Sequence, residues 1–398
     1  MRVIYFDHSA TTPVNPVVAD EMYNFLTGDN FGNPSSLYRF GRMAREAIEG
    51  ARNNIALAIG ANPSQPGEIV FTSGGTESDN LAIHGAAYAN RSRGNHIITS
   101  AVEHHAVLNT VKALGQQGFK ITILPVDQYG MVDVRDVAEA ITDQTILITI
   151  MHANNEVGTI MPIAEIGKLA QKRGITFHVD AVQSFGKIPV NVDELRVDLL
   201  TISGHKIYGP KGTGALYIRT GAGWKQSLLH GGAQERLRRA GTENVPGIVG
   251  LGKAVELIME NMEQESKRLS ILRDKLIKEL TSNFKGVKLT GHPYQRLPNH
   301  ASFLFEDMEG EELQFQLDAQ NIAASTGSAC TSGSMEPSHV LLAMGVPPAE
   351  AYGSLRLTLG AGNSNDDVDR FLAVMGSIIE NPDETIEYFK SCGLPKGI

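Results

Sequence analysis

The 398-residue chain holds two cysteines, Cys330 and Cys392, and one tryptophan. So few thiols exclude a disulfide framework and a thiolate metal cluster built by this chain alone. No unbroken apolar run is long enough to cross a bilayer. The opening Met1-Arg2-Val3-Ile4-Tyr5-Phe6-Asp7 turns polar too soon for a secretory leader, so a cytoplasmic protein is expected. Cationic excess is missing as well: 35 Lys and Arg face 44 Asp and Glu, a formal net charge of -9. That balance disfavours nonspecific attraction to nucleic acid or to an anionic membrane. The run Glu235, Arg236, Arg238, Arg239 is a local basic candidate, and a solvated face is its simplest reading.

What is present is length and alternation. The chain exceeds the size at which one core usually stops growing, so a large and a smaller domain are expected, 15–255 against 1–14 with 256–398. Apolar, β-rich runs at Glu68–Thr72, His96–Ser100, Lys120–Pro125, Thr145–His152, Ile175–Asp180, Asp198–Ser203 and Gly214–Arg219 predict strands buried on both faces. Helical patterns at Ser78–Asn90, Ala106–Gln116 and Pro162–Lys172 lie between them. The fold class expected is α/β, a three-layer α/β/α domain with a smaller α+β domain. From Gly250 to Leu280 a helical period takes over, leading to strands near Ala301–Phe305 and Ser354–Leu359. Helices are expected there at Glu311–Ala319, Pro337–Met344 and Asp366–Glu380. The first dozen residues should return onto one of the domains, and Cys392–Ile398 reads as a frayed tail.

Three elements at predicted strand ends carry chemistry. Thr72-Ser73-Gly74-Gly75-Thr76-Glu77 lies between a strand and a helix, where glycines allow close backbone approach and unpaired helix amides can hold an anion. Thr76 would either donate to that anion or cap the helix. Asp180 ends an apolar strand, placed to touch a ligand or to cap, and Gln183 follows on the same turn. Ser203-Gly204-His205-Lys206 ends another strand. Lys206 there is either a loop charge or an amine able to form a Schiff base, with Ser203 and His205 as phosphate donors. An anion cradle, a carboxylate and a lysine are together what pyridoxal phosphate requires. The segment Gly327-Ser328-Ala329-Cys330-Thr331-Ser332-Gly333 has the small-residue composition of a loop, which favours a nucleophilic thiol over a packed one. Arg356, inside an apolar strand, needs either a ligand carboxylate or an internal salt bridge.

On these residues the sequence resembles the fold-type I pyridoxal-phosphate enzymes, and more narrowly the long-loop branch of the cysteine desulfurases of iron-sulfur cluster assembly. The resemblance runs from Tyr5-Phe6-Asp7-His8-Ser9-Ala10-Thr11-Thr12-Pro13 through Asn33-Pro34-Ser35-Ser36 to Arg356. It implies that Lys206 holds the cofactor, Asp180 pairs with the pyridine nitrogen, and Gln183 bonds the ring hydroxyl. Gly75, Thr76, Ser203 and His205 would form the phosphate cup, completed by Thr242 from a second subunit of a homodimer. His104 would stack on the ring and move protons, and Asn155 and Arg356 would anchor the substrate carboxylate. The resemblance further implies conversion of L-cysteine to L-alanine with a persulfide on Cys330, passed to an iron-sulfur scaffold protein. Selenocysteine lysis or another pyridoxal-phosphate lyase or aminotransferase activity is the alternative. His104 and His105 have no second ligand cluster that would make them a metal site, although Cys330 could ligate a nascent cluster. Gly360-Ala361-Gly362-Asn363-Ser364-Asn365 departs from the housekeeping pattern, which leaves general and nitrogenase-type cluster assembly both open.

Overall fold

The computed structural model of the protein describes residues 2–225, 227–327 and 336–380. The calls on Cys330 and on Cys392–Ile398 lie outside them.

A seven-stranded sheet dominates. Its strands are β2 (Ile69–Thr72), β3 (His96–Ser100), β4 (Lys120–Leu124), β5 (Thr145–Thr149), β6 (Thr176–Asp180), β7 (Leu199–Ser203) and β8 (Gly214–Ile218), in the order β2-β8-β7-β6-β5-β3-β4. Only β8 runs against the others. Alternation along each strand sends neighbours to opposite faces. Ile98, Ile148, Phe177 and Leu200 pack with the Arg39–Ala58 and Ile163–Arg173 helices. Their neighbours Ile97, Leu147 and Leu199 pack with the Gly75–Ala89 and His105–Gln116 helices. Both faces are therefore covered, which is why these strands read as apolar runs rather than alternating ones. At the open edge β4 exposes Lys120 and Ile123, and polar neighbours there discourage further strand addition.

A second apolar cluster surrounds a three-stranded antiparallel sheet, order β12-β10-β9, made of β9 (Val287–Thr290), β10 (His300–Phe305) and β12 (Ser354–Thr358). A parallel pair, β1 (Ile4–Tyr5) with β11 (Ile322–Ala323), lies beside it. Ile4 and Phe6 join this cluster, so the chain's start packs against its later part. One 39-residue helix, Val245–Asn283, links the two clusters: Ile248, Leu251 and Val255 serve the first, and Leu269, Leu272, Leu276 and Leu280 the second. Asn244 starts it by accepting from Gly247 N–H.

The structure shifts several expected boundaries. The helix expected from Ser78 begins at Gly75, with Gly74 as its cap and no side-chain capping bond, so Thr76 is not the cap. Pro337 does not open the next helix; Ser338 caps the His339–Ala343 turn by accepting from Leu341 N–H. The strand expected to reach His152 stops at Thr149. The helices Pro16–Leu26, Arg39–Ala58 and Val134–Ala140 were not expected. Apart from Arg236, which is exposed, the arginine run is no solvated face either. Glu235 is buried against Arg52 at 2.8 Å and accepts from Phe71 N–H, Arg238 donates to Gly67 O, and Arg239 pairs with Glu77 at 2.9 Å.

Candidate active site

Six strands of the large sheet point the same way, and five of them end on one edge at Thr72, Ser100, Thr149, Asp180 and Ser203. The residues just beyond those ends line a cavity of about 280 Å³. Its walls take Gly75 and Thr76 after β2, His104 after β3, Asn155 after β5, Asp180 and Gln183 at the end of β6, and Ser203, His205 and Lys206 at the end of β7. The separate sequence candidates thus meet because a parallel sheet delivers its carboxyl ends to one place.

One side of the cavity is an anion cradle. The Gly75–Ala89 helix presents its first amides there. A Cβ on Gly75 would stand 2.9 Å from Val182 Cγ2, so only glycine lets the backbone approach this wall. Ser203 Oγ is buried with no partner. His205 Nδ1 lies 3.2 Å from Thr11 Oγ1, and burial with the charges of Lys206, Lys211 and Lys187 holds it down to about 4. It therefore meets an anion as a neutral hydrogen-bond donor at neutral pH.

Another part of the wall is acidic. Asp180 Oδ1 accepts from Val182 N–H at 2.9 Å, and no helix follows that it would cap. Burial pushes Asp180 up to about 6, against that bond and the charge of Lys206. Asp79, buried beside it, is raised well above its ordinary value by burial and then by the charge of Asp180. Of the two, Asp79 is the one held more firmly toward its neutral form. Gln183 Nε2 donates to Ser9 O at 3.0 Å while its Oε1 is buried without a partner.

Lys206 closes a short 3-10 turn, Gly204–Lys206, and its Nζ donates to Ala10 O at 2.7 Å and to Ser9 O. The chain's start is held there by Thr12 N–H to His205 O and Tyr208 N–H to Thr12 Oγ1, each 2.8 Å. His104 caps the His105–Gln116 helix: its Nδ1 accepts from Ala106 N–H at 3.1 Å, which leaves Nε2 to carry the proton. Burial, with Lys206, His105 and His339 nearby, holds His104 down to about 4.

Pyridoxal phosphate fits this donor set. The orphaned Ser203 Oγ, the cradle at Gly75, the unpaired Gln183 Oε1 and the carboxyl group of Asp180 are each matched by one of its groups, and Lys206 supplies the amine.

Two candidates stand elsewhere. Arg356 does not line the cavity; it is 1% exposed, its Nη2 lies 2.9 Å from Asp7 Oδ1, and its Nη1 donates to Asn155 O at 3.1 Å. The internal salt bridge is therefore what the structure shows, reached from the cavity through the backbone of Asn155. Thr242 is exposed and does not line the cavity of its own chain. Ser9, Ala10 and Asp79 line it unforeseen. Asp79 was readable from spacing, four residues after Gly75 on one helix face. Ser9 and Ala10 lie in the Tyr5–Pro13 stretch that carries the resemblance, but no chemistry of their own marked them for the cavity.

Residues 4–371 match the aminotransferase class-V family. The chain belongs to that family. Class-V members are pyridoxal-phosphate enzymes of fold type I, and the fold and the cavity of this one agree. Among similar proteins, "Cysteine desulfurase IscS" of Methanosarcina thermophila is 56% identical over 379 residues, covering 95% of this chain and 92% of that protein. A solved structure described as a NifS-like protein superposes with a TM-score of 0.88 at 39% identity, covering 95% of this chain and 99% of the other. Another, "SspA in complex with cysteine", gives 0.79 at 40% identity over 89% and 98%.

Proposed function

We propose that this cavity desulfurates free cysteine: the chain is a pyridoxal-phosphate-dependent cysteine desulfurase that serves iron-sulfur cluster assembly in the cytoplasm. The observation that carries the reading is the convergence of Lys206, Asp180 and the Gly75 cradle in a chain 56% identical to a cysteine desulfurase. When bound, the cofactor supplies an electron sink conjugated to the substrate's α-carbon.

The chain's own groups do the rest. The helix amides at Gly75 with Thr76, Ser203 and His205 would hold the phosphate, and Asp180 would keep the ring nitrogen protonated. Gln183, through its unpaired Oε1, would accept from the ring hydroxyl, and neutral His104 would face the ring with its proton on Nε2. Lys206 would hold the cofactor through its amine, and the same amine is placed to take the substrate's α-proton and to return it. Arg356 and Asn155 anchor the substrate carboxylate. Cys330, as thiolate, attacks the substrate sulfur. The carbon–sulfur bond breaks, its electron pair stays with carbon, a proton replaces sulfur there and another returns to the α-carbon, and alanine departs with Cys330 left as the persulfide.

A homodimer is part of the reading. Thr242 is exposed, and the neighbouring surface displays Leu37, Tyr38 and Leu237, large apolar side chains that a partner subunit would cover. Sulfur then passes from Cys330 to a scaffold protein. No helix among the described residues is long and apolar enough to cross a membrane. Incubating the purified protein with cysteine and following alanine and the mass of the Cys330 peptide tests the reading. Alanine with one added sulfur on Cys330 is expected, and a C330A variant that still desulfurates free cysteine overturns it.

A further inference from the structure

Arg356 heads the largest side chains that the fold buries completely. A guanidinium so placed needs a carboxylate, because an unpaired buried charge is strongly destabilising. Two acids come near. Burial pushes Glu156 up to about 7, and it is hydrogen-bonded to Ser338 Oγ rather than to the arginine. Asp7 touches Nη2 at 2.9 Å, and its side chain is 16% exposed. The Tyr5 hydroxyl, which shares this niche, is pushed up to about 12 by burial and carries no charge. Asp7 is thus the acid that directly neutralises Arg356. One donor of the guanidinium is unfilled: Nε is buried without a hydrogen-bond partner.

A substrate carboxylate arriving here would place a second negative charge on one buried cation. Repulsion between two such anions is poorly screened where water is excluded. Pairing returns to one-to-one if Asp7 leaves, and Asp7, the partly exposed member, has solvent to receive it. We propose that Asp7 is an internal stand-in for the substrate carboxylate: it neutralises and orients Arg356 in the empty site and yields the guanidinium when an amino acid arrives. The proposal rests on reading Arg356 as the carboxylate anchor. Asp7 is then a positioning residue, and exchange of like for like favours ligands that bring a carboxylate of their own.

The test uses the cofactor-loaded enzyme as wild type, D7N and R356Q, titrated with L-alanine, which has no sulfur to transfer. Binding is followed by the cofactor's absorbance and folding by thermal melting. D7N is expected to bind alanine about tenfold more tightly than wild type, the scale of removing one competing charge pair, and to melt lower without ligand. R356Q is expected to lose alanine binding. If R356Q loses it while D7N binds equally or more weakly, the anchor stands and the exchange is overturned. If R356Q binds alanine like wild type, the anchor reading itself fails. Should D7N not fold, a crystal structure of wild type with alanine decides: Asp7 beyond hydrogen-bonding reach of Nη2 supports the exchange, and an intact 2.9 Å contact overturns it.

Discussion

At the carboxyl edge of the large sheet, Ser203 Oγ and Gln183 Oε1 are buried with no partner, whereas in the middle of β12 Arg356 is held by Asp7 and the Asn155 carbonyl. Both regions bury polar groups, but by different geometry. Side chains just past a strand end point into the gap where the ladder has stopped, and several strands supply that gap together. A residue in mid-strand is enclosed by its neighbours: Arg356 faces Ser302 on one side and Ser325 on the other. Its charge must be answered from within the fold. The cavity is therefore partly unsatisfied, whereas the charge of Arg356, the proposed carboxylate anchor, is already paired within the fold.

The sharpest way to break this contrast is at Lys206. A K206A variant is expected to lose alanine formation by about 10⁴-fold, the upper range for removing a positioned acid–base group, and to lose the cofactor's bound absorbance. Next is the acidic end of the cavity. D180N removes the charge opposite the ring nitrogen and is expected to weaken cofactor binding by about 10- to 100-fold, the range of one charge-assisted hydrogen bond; fluorescence titration of cofactor-free protein measures it. At the satisfied site, R356K keeps charge but loses the fork. It is expected to raise KM for cysteine about tenfold with a smaller change in kcat, as for loss of a bidentate contact. Retained KM would remove Arg356 from the substrate site.

Behind the cavity the expected effect is on stability rather than on activity. Glu103 Oε1 accepts from Ser100 Oγ at 2.6 Å and Met151 N–H at 3.0 Å, while Oε2 has no partner, and burial pushes the acid from 4.5 up to about 8. The folded protein thus holds this proton where the unfolded chain has lost it. As pH rises from 4.5 to about 8, stability relative to an E103Q variant is expected to fall, by about 5 kcal/mol at most. Denaturant melts of both proteins at pH 5 and 8.5 measure it, and a constant difference would mean that Glu103 is ionised in the fold.

Much of the large sheet was readable because strands covered on both faces leave contiguous apolar runs, and each run's end marked a candidate: Asp180, Lys206 and the turn at Gly75. Boundaries that depend on glycine conformation were misplaced, as at the helix that starts at Gly75 instead of Ser78. Short strands such as Ile4–Tyr5 and Ile322–Ala323 escaped because two residues carry no period and form only by pairing with each other.

By itself, the sequence determined the alternating order of elements, the chemical inventory at strand ends and the cofactor those groups require, since residue type and short spacing are local properties. Tertiary structure decided which acid holds Arg356, that the chain's start reaches Lys206, and that Asp79 stands beneath Asp180. Each of these joins residues far apart in the chain or buries a charge, and neither long-range contact nor desolvation is written in local pattern.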